Sequence, residues 1–163
     1  MTELTETPPV NEDEFTGWVR PHVAVLARLA SRIAPKLDRD DIVQSALARA
    51  WLKRGLYDPT RGSPRAWLLA ITANEARNAA RQRRPSVELV DTAAPPRDND
   101  ARVDLARALT ALTARQRLAV DCYYFADISV AETAVVMRCS EGTVKSTLSD
   151  ARLRLRAHLE VPE

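Results

Sequence analysis

Cysteine, histidine and aromatic residues are all scarce in this chain of 163 residues. It has two cysteines and two histidines, and Trp, Tyr and Phe together make up 5% of it. Cys122 and Cys139 form no C-x-x-C motif, and His22 and His158 lie near opposite ends, so no pair of metal ligands is indicated. Helical periodicity buries both cysteines, and we expect them to be structural rather than redox-active or metal-binding.

Long apolar runs are also absent. No stretch approaches the roughly 18 apolar residues of a membrane-spanning helix, and the acidic N-terminus lacks the basic, then apolar order of a signal peptide. We therefore expect no membrane contact and a cytoplasmic location. No carboxylate or histidine cluster has metal-ligand spacing, which disfavours an enzyme such as a nuclease, and neither a cofactor nor a small-molecule substrate is indicated.

Helical periodicity, by contrast, runs through most of the chain. Apolar residues recur at spacings of three and four, and no strand pattern is present. The length suits one large or two small domains, and the pattern favours two. We predict an all-α protein of two small helical domains joined by a flexible acidic linker. The predicted segments are a disordered leader (1–11), a first domain (12–85), the linker (86–100) and a second domain (101–160).

Charge is divided unevenly along the chain, although the net charge is only +2. Residues 1–16 carry five acids and no base, whereas residues 61–84 carry six arginines and one acid. Residues 138–158 carry five lysines and arginines and two acids, and residues 85–100 carry three prolines and four acids. Two basic segments separated by acidic stretches predict two contacts with a polyanion.

Residues 129–156 have the pattern of two short helices joined by a tight turn. Ser129 and Glu132 form a capping box for the first helix, and Ser140 can cap the second. The second helix has a buried stripe of Val144, Leu148, Ala151 and Leu155. Facing away from it are Lys145, Ser146, Ser149 and Asp150. Such a helix can enter a DNA major groove, but an amphipathic helix with a solvated charged face fits the same pattern.

Two helices of the first domain carry further candidate surfaces. The helix that Asp38 can cap exposes a mildly acidic face around Asp41 and Gln44. This face could be ordinary solvent-exposed surface or a docking site for a basic partner, and composition alone favours solvent-exposed surface. A second helix begins at Ser63, with Pro64 at its first position. It accumulates Asn74, Arg77, Asn78 and Arg81 beside an aromatic-bearing loop. Arginines near the C-terminal end of a helix can simply stabilise the helix dipole. A face of Arg and Asn side chains can also bind the bases of single-stranded nucleic acid.

The second domain begins with two scaffold helices, the later one capped by a Thr113–Gln116 capping box. A helical unit of about 60 residues is near the lower limit for a self-sufficient core. We therefore expect tight packing of Ile128, Val136 and Met137 within this domain.

Three motifs in order resemble those of the sigma factors of bacterial RNA polymerase, in the extracytoplasmic-function group of the sigma-70 family. DRDDIVQSALARAW is similar to region 2.2, and PRAWLLAITANEARNAARQRR is similar to regions 2.3 and 2.4. LTARQRLAVDCYYF and SVAETAVVMRCSEGTVKSTLSDAR are similar to region 4. Ser45, Arg138, Thr147 and Asp150 depart from the group's usual residues, so no promoter consensus is carried over.

The resemblance implies a non-enzymatic factor that directs polymerase core to promoters and helps to open the strands. The residues implied to dock the β′ clamp helices are Asp40, Asp41 and Gln44. Those implied to capture the minus-10 element are Asn74, Arg77, Asn78 and Arg81, with the loop 55–63. Those implied to read the minus-35 duplex are Thr143, Lys145, Ser146, Ser149 and Arg152. The polymerase β flap and an anti-sigma factor are further implied partners. The alternative hypothesis is a stand-alone helix-turn-helix regulator.

Overall fold

The computed structural model describes residues 8–83 and 100–160. Those residues form eight α-helices and no strand, which confirms the all-α prediction. The helices are α1 (Glu12–Val19), α2 (Val23–Ile33), α3 (Arg39–Leu52), α4 (Pro64–Gln82), α5 (Asp100–Thr110), α6 (Ala114–Val120), α7 (Val130–Met137) and α8 (Glu141–Leu159). Most of the predicted leader, and the predicted linker up to residue 99, lie outside the described residues.

Short polar side chains set where most of these helices begin. Asp38 accepts a hydrogen bond from the Asp40 amide at 2.8 Å, and Ser63 accepts one from the Ala66 amide at 3.1 Å. Both predicted capping boxes are present, at Thr113 and at Ser129. Because each cap satisfies amides that the first helical turn leaves open, local sequence alone fixes these starting points.

The N-terminal unit consists of α1 to α4. Leucines from α2 and α4 are almost completely buried at its centre: Leu26, Leu29, Leu68 and Leu69. An aromatic group closes one side, with the Trp18 ring 5.4 Å from Tyr57 and 5.9 Å from Trp67. Pro21 falls in a 3-10 turn between α1 and α2, at the predicted break. The unit therefore rests on α2 and α4 as its central pair.

The buried arc of α4 is wider than a single helical stripe. Trp67, Ile71 and Ala79 are only half-buried, while Leu69 and Ala73 are fully buried. The reason is that α4 packs against α2, α3 and α7 at once. A helix with three neighbours buries more than one stripe.

The C-terminal unit consists of α5 to α8, with its own smaller core. Its largest buried side chains come from α5, from the turn that follows it, from α7 and from α8: Leu109, Leu112, Met137, Val144 and Leu148. The predicted stripe of α8 is confirmed, with Leu155 partly buried at its end. This stripe presses α8 against α5, α6 and α7 and turns its polar face outward.

A π-helical turn, Asp121–Phe125, continues α6. Its defining bond runs from the Ala126 amide to the Asp121 carbonyl at 2.8 Å, five residues apart. The turn buries Asp121 and Cys122 but leaves Tyr123, Tyr124 and Phe125 exposed. The wider turn shifts the register of the side chains, which helical periodicity could not indicate.

The two units share one core. Cys122, Ala126, Ile128 and Val136 of the C-terminal unit belong to the same buried cluster as the leucines of α2 and α4. The expectation that Ile128 and Val136 would pack within the C-terminal domain is wrong, whereas Met137 does lie in that domain's core. The short C-terminal unit gains burial by placing these side chains against its neighbour.

Within residues 8–83 and 100–160, no helix is long and apolar enough to cross a membrane.

We predict that Arg138→Gly stabilises the protein by about 0.5–1 kcal/mol, because Arg138 has a left-handed backbone that a side chain strains and glycine adopts freely. Its φ is 55° at the end of α7. Thermal unfolding of the full chain measures the change. Arg156→Gly, the matched control in the regular turns of α8, should lower stability by up to about 1 kcal/mol. Destabilisation by Arg138→Gly would contradict the prediction.

Candidate functional site

The polar face of α8 is fully accessible. Thr143, Lys145, Ser146, Ser149 and Arg152 are all exposed, because Val144, Leu148 and Ala151 hold the opposite face in the core. Every residue predicted for the minus-35 surface therefore lies on one open helix face. An exposed helix face that carries short hydroxyl side chains followed by cationic ones can enter a DNA major groove.

Hydroxyl groups at the start of α8 are held by local bonds. Ser140 caps the helix at the Thr143 amide, 3.1 Å away, and the Ser140 and Thr143 hydroxyls are 2.9 Å apart. Ser146 donates to the Thr143 carbonyl at 3.0 Å. These bonds fix the side chains while leaving lone pairs free to accept from a base edge.

Arg152 has a partner that the sequence did not indicate. Its Nη1 atom donates a hydrogen bond at 3.0 Å to the hydroxyl of Tyr124, which lies in the π-helical turn. Tyr124 is half-exposed and stacks edge-on with Tyr123, ring centroids 5.0 Å apart. The guanidinium is thereby oriented by a side chain 28 residues away. Only the tertiary fold brings the two together.

The Asn and Arg face of α4 consists of two hydrogen-bonded pairs. Arg81 donates to the Asn78 side-chain carbonyl at 2.9 Å, and Arg77 donates to that of Asn74 at 3.4 Å. The spacing of three residues puts each pair on one side of the helix. Guanidinium and amide groups arranged in this way can hydrogen-bond the edges of unpaired bases and their phosphates.

The two pairs differ in exposure. Asn78 and Arg81 are exposed, whereas Asn74 and Arg77 are half-buried. Burial lowers the pKa of the Arg77 guanidinium, and the nearby positive charge of Arg138 lowers it further. Arg138 belongs to the turn between α7 and α8, and α7 packs against α4.

The loop before α4 does not present its aromatic ring. Tyr57 is 6% exposed within the aromatic group, and its hydroxyl donates to the Gly62 carbonyl at 3.1 Å. Asp58 accepts from the Thr60 amide and hydroxyl, and these bonds lower the pKa of its carboxyl. The aromatic ring of the loop beside the Arg and Asn face is therefore buried inside the N-terminal unit. The ring instead shapes the loop from inside.

The acidic face of α3 is open along the helix. Asp40, Asp41 and Gln44 are exposed, and Asp41 lines a shallow groove of about 280 Å³ between α3 and α4. An ion pair between Arg49 and Glu75 fixes the two helices beside this groove. The predicted docking residues thus lie together on the exposed surface of one helix.

The two cysteines differ in burial. Cys122 is fully buried, and burial together with the Asp121 charge raises the pKa of its thiol to about 12. Cys139 is half-buried. In the part of the chain that the structure describes, no group of three His, Cys, Asp or Glu side chains could hold a metal ion.

Comparison with known proteins gives a consistent identification. Residues 18–85 match sigma-70 region 2, and residues 102–155 match sigma-70 region 4. The chain is 33% identical over 150 residues to the extracytoplasmic-function RNA polymerase sigma factor SigL of Mycobacterium tuberculosis, covering 85% of each chain.

Two solved structures have the same arrangement of helices. CnrH in complex with the cytosolic domain of CnrY gives a TM-score of 0.70 at 28% identity, covering 98% of this chain and 96% of the other. The sigma factor RpoE in complex with the anti-sigma factor NepR, from Bartonella quintana, gives 0.68 at 28% identity, covering 93% and 100%. These relationships show that the chain belongs to the extracytoplasmic-function group of the sigma-70 family of RNA polymerase sigma factors.

Proposed function

We propose that three separate surfaces divide the work of promoter recognition in this sigma factor. The acidic face of α3, with Asp40, Asp41 and Gln44, docks polymerase core. The α4 face captures an unpaired strand of the minus-10 element with Asn74, Arg77, Asn78 and Arg81. The α8 face reads the minus-35 duplex with Thr143, Lys145, Ser146, Ser149 and Arg152.

The observation that supports this assignment is that one chain presents two polar, cationic helix faces of different chemistry, on α8 and on α4. The α8 face has the width and chemistry of a helix that reads intact duplex. The α4 face concentrates Arg and Asn groups that suit exposed base edges. A regulator that only binds duplex needs the first surface and has no use for the second.

The docking face of α3 suits a basic partner. Asp40 and Asp41 lie in the first turn, where the helix dipole favours carboxylates, and both are exposed. We assign this face to the β′ clamp helices of polymerase, and the C-terminal unit to the β flap. The predicted domains, 12–85 and 101–160, are the units that would make these contacts.

Directing polymerase to a promoter requires that this chain bind its partners and does not require it to catalyse a reaction. We therefore propose a non-enzymatic factor without a cofactor that acts in the bacterial cytoplasm, where its polymerase works. An anti-sigma factor is a further proposed partner, since both structural neighbours are complexes, one of them with a protein named as an anti-sigma factor.

The deciding experiment is run-off transcription with purified core polymerase on genomic DNA, followed by sequencing of the transcripts. A sigma factor yields transcripts that begin downstream of a shared promoter motif. A stand-alone regulator would bind duplex DNA without polymerase and yield no transcript, which would overturn the proposal.

We predict that Lys145→Ala weakens duplex binding uniformly across sequences, because a lysine on this face contacts phosphate rather than a base. Fluorescence anisotropy of the full chain with a minus-35 duplex, taken from the sequenced transcripts, measures affinity at stepped salt. The negative slope of log affinity against log salt concentration should become shallower by about 0.9. Lys36→Ala, which removes the same charge from the N-terminal unit, should leave the slope unchanged. An unaltered slope for Lys145→Ala would refute the phosphate contact.

We predict that Asn74→Ala and Arg77→Ala each slow strand opening while leaving polymerase binding intact. The loss of a hydrogen bond from a charged group costs about 1.5–3 kcal/mol, so opening should slow by roughly tenfold or more for Arg77→Ala. Permanganate footprinting of the promoter follows unpaired thymines over time. Arg20→Ala removes an exposed arginine from the same unit and serves as the control. Normal opening in both α4 variants would count against the assignment.

A further inference from the structure

The outward side of α8 has a centre and two flanks. Three exposed side chains lie at the centre of its N-terminal half, opposite the buried stripe: Ser146, Ser149 and Asp150. Cationic side chains lie on the flanks, with Lys145 and Arg152 on one side and Arg154 on the other. This division follows from the rotation of about 100° per residue along a helix. A helix in a major groove directs its centre at the base pairs and its flanks at the phosphates.

The centre of this face offers mainly hydrogen-bond acceptors. Ser146 donates its hydroxyl proton to the Thr143 carbonyl at 3.0 Å, so the hydroxyl oxygen can only accept from a ligand. The carboxylate of Asp150 has no proton to donate. A partner that meets this part of α8 must therefore supply donor groups. In the major groove, the donors are the amino groups of cytosine and adenine.

Asp150 is free to accept from a ligand. It is exposed, and within residues 8–83 and 100–160 its side chain makes no hydrogen bond or ion pair. Arg154, four residues later, has the spacing of a helical ion pair, but its Nη1 atom donates to the Ala111 carbonyl at 3.3 Å instead. On the other flank, Arg152 donates to the Tyr124 hydroxyl. Both arginines are directed to other groups, and the carboxylate between them keeps its full capacity to accept.

We propose that Asp150 selects cytosine at one base pair of the minus-35 duplex, by accepting a hydrogen bond from the N4 amino group of that base. The inference rests on the proposed role of the α8 face and adds to it a residue that sets sequence preference. A carboxylate is a usual side-chain partner of the cytosine amino group in the major groove. The flanking cations then supply affinity for phosphates, and Asp150 supplies discrimination between bases.

Repulsion between acceptors makes Asp150 discriminate against the other bases. Guanine presents N7 and O6 in the major groove and thymine presents O4, and each of these atoms is an acceptor like the carboxylate oxygens. Adenine presents its N6 donor next to the N7 acceptor, which suits an amide with one donor and one acceptor. Because no ion pair within the described residues offsets the charge of Asp150, this repulsion stays strong.

The test measures base preference at each position of the minus-35 element. The template is a promoter found by the run-off experiment, randomised over that element and given a transcribed barcode that identifies each sequence. Core polymerase and the full chain transcribe this library, and barcode counts in RNA relative to DNA give the yield of each template. We expect cytosine at one base pair to be favoured over each other base by at least about fivefold, the usual effect of one mismatched contact.

Two substitutions then change the contact. Asp150→Ala should abolish the preference at that one base pair and leave the preferences at the other base pairs unchanged, since only the bond to cytosine is lost. Asp150→Asn should shift the same base pair from cytosine to adenine, because an amide can bond both N6 and N7 of adenine. The matched control is Asp104→Asn, which removes the same charge from an exposed position on α5 and should leave every preference unchanged.

Relative preferences separate a base contact from a general effect of charge. If Asp150→Ala raises the yield of all templates equally and alters no preference, Asp150 only repels phosphates and the proposal is overturned. The proposal also fails if the unaltered chain favours cytosine at no base pair. Both of these results leave the proposed function intact, because transcripts are still made. Absence of transcripts from every template would instead refute the proposed function, on which this inference rests.

Discussion

The constraint on which the structure depends is the small size of the C-terminal unit. A helical unit of about 60 residues buries too little apolar surface to form a strong core alone. Ile128 and Val136 of this unit pack instead in the core of its neighbour. The same packing between the units buries Asp121. Burial raises the pKa of its carboxyl, and the nearby guanidiniums of Arg32 and Arg117 oppose this rise. Stability and domain orientation are therefore set by one set of contacts.

This arrangement determines which surfaces the protein can use. Burial of one stripe of α8 leaves its polar face open, and α3 remains open because it packs only within the N-terminal unit. The α4 helix is different, since it has neighbours on three sides and one of them is α7. The outer surface of α4 is therefore limited by both units, whereas those of α3 and α8 are limited by one unit each.

Local bonds also prepare the surfaces before any ligand arrives. Tyr124 orients Arg152, Asn78 orients Arg81, and the buried Tyr57 ring holds the loop before α4 through the Gly62 carbonyl. Each contact reduces the side-chain freedom that binding would otherwise remove. Binding through the proposed surfaces would therefore require less ordering of these side chains.

The sequence by itself determined the helices, their caps and the polar face of α8, because these depend on bonds and spacings within a few residues. Asp38, Ser63, Thr113, Ser129 and Ser140 all start helices where their chemistry predicts. Only the tertiary structure decided the π-helical turn, the burial of Tyr57 and the packing of the two units against each other. The Arg32–Asp121 pair joins residues 89 positions apart, and no local pattern of charge or periodicity marks either residue as a partner of the other. Contacts of that kind follow from how complete helices pack, which is why the candidate surfaces could be predicted from sequence and the contacts between the two units could not.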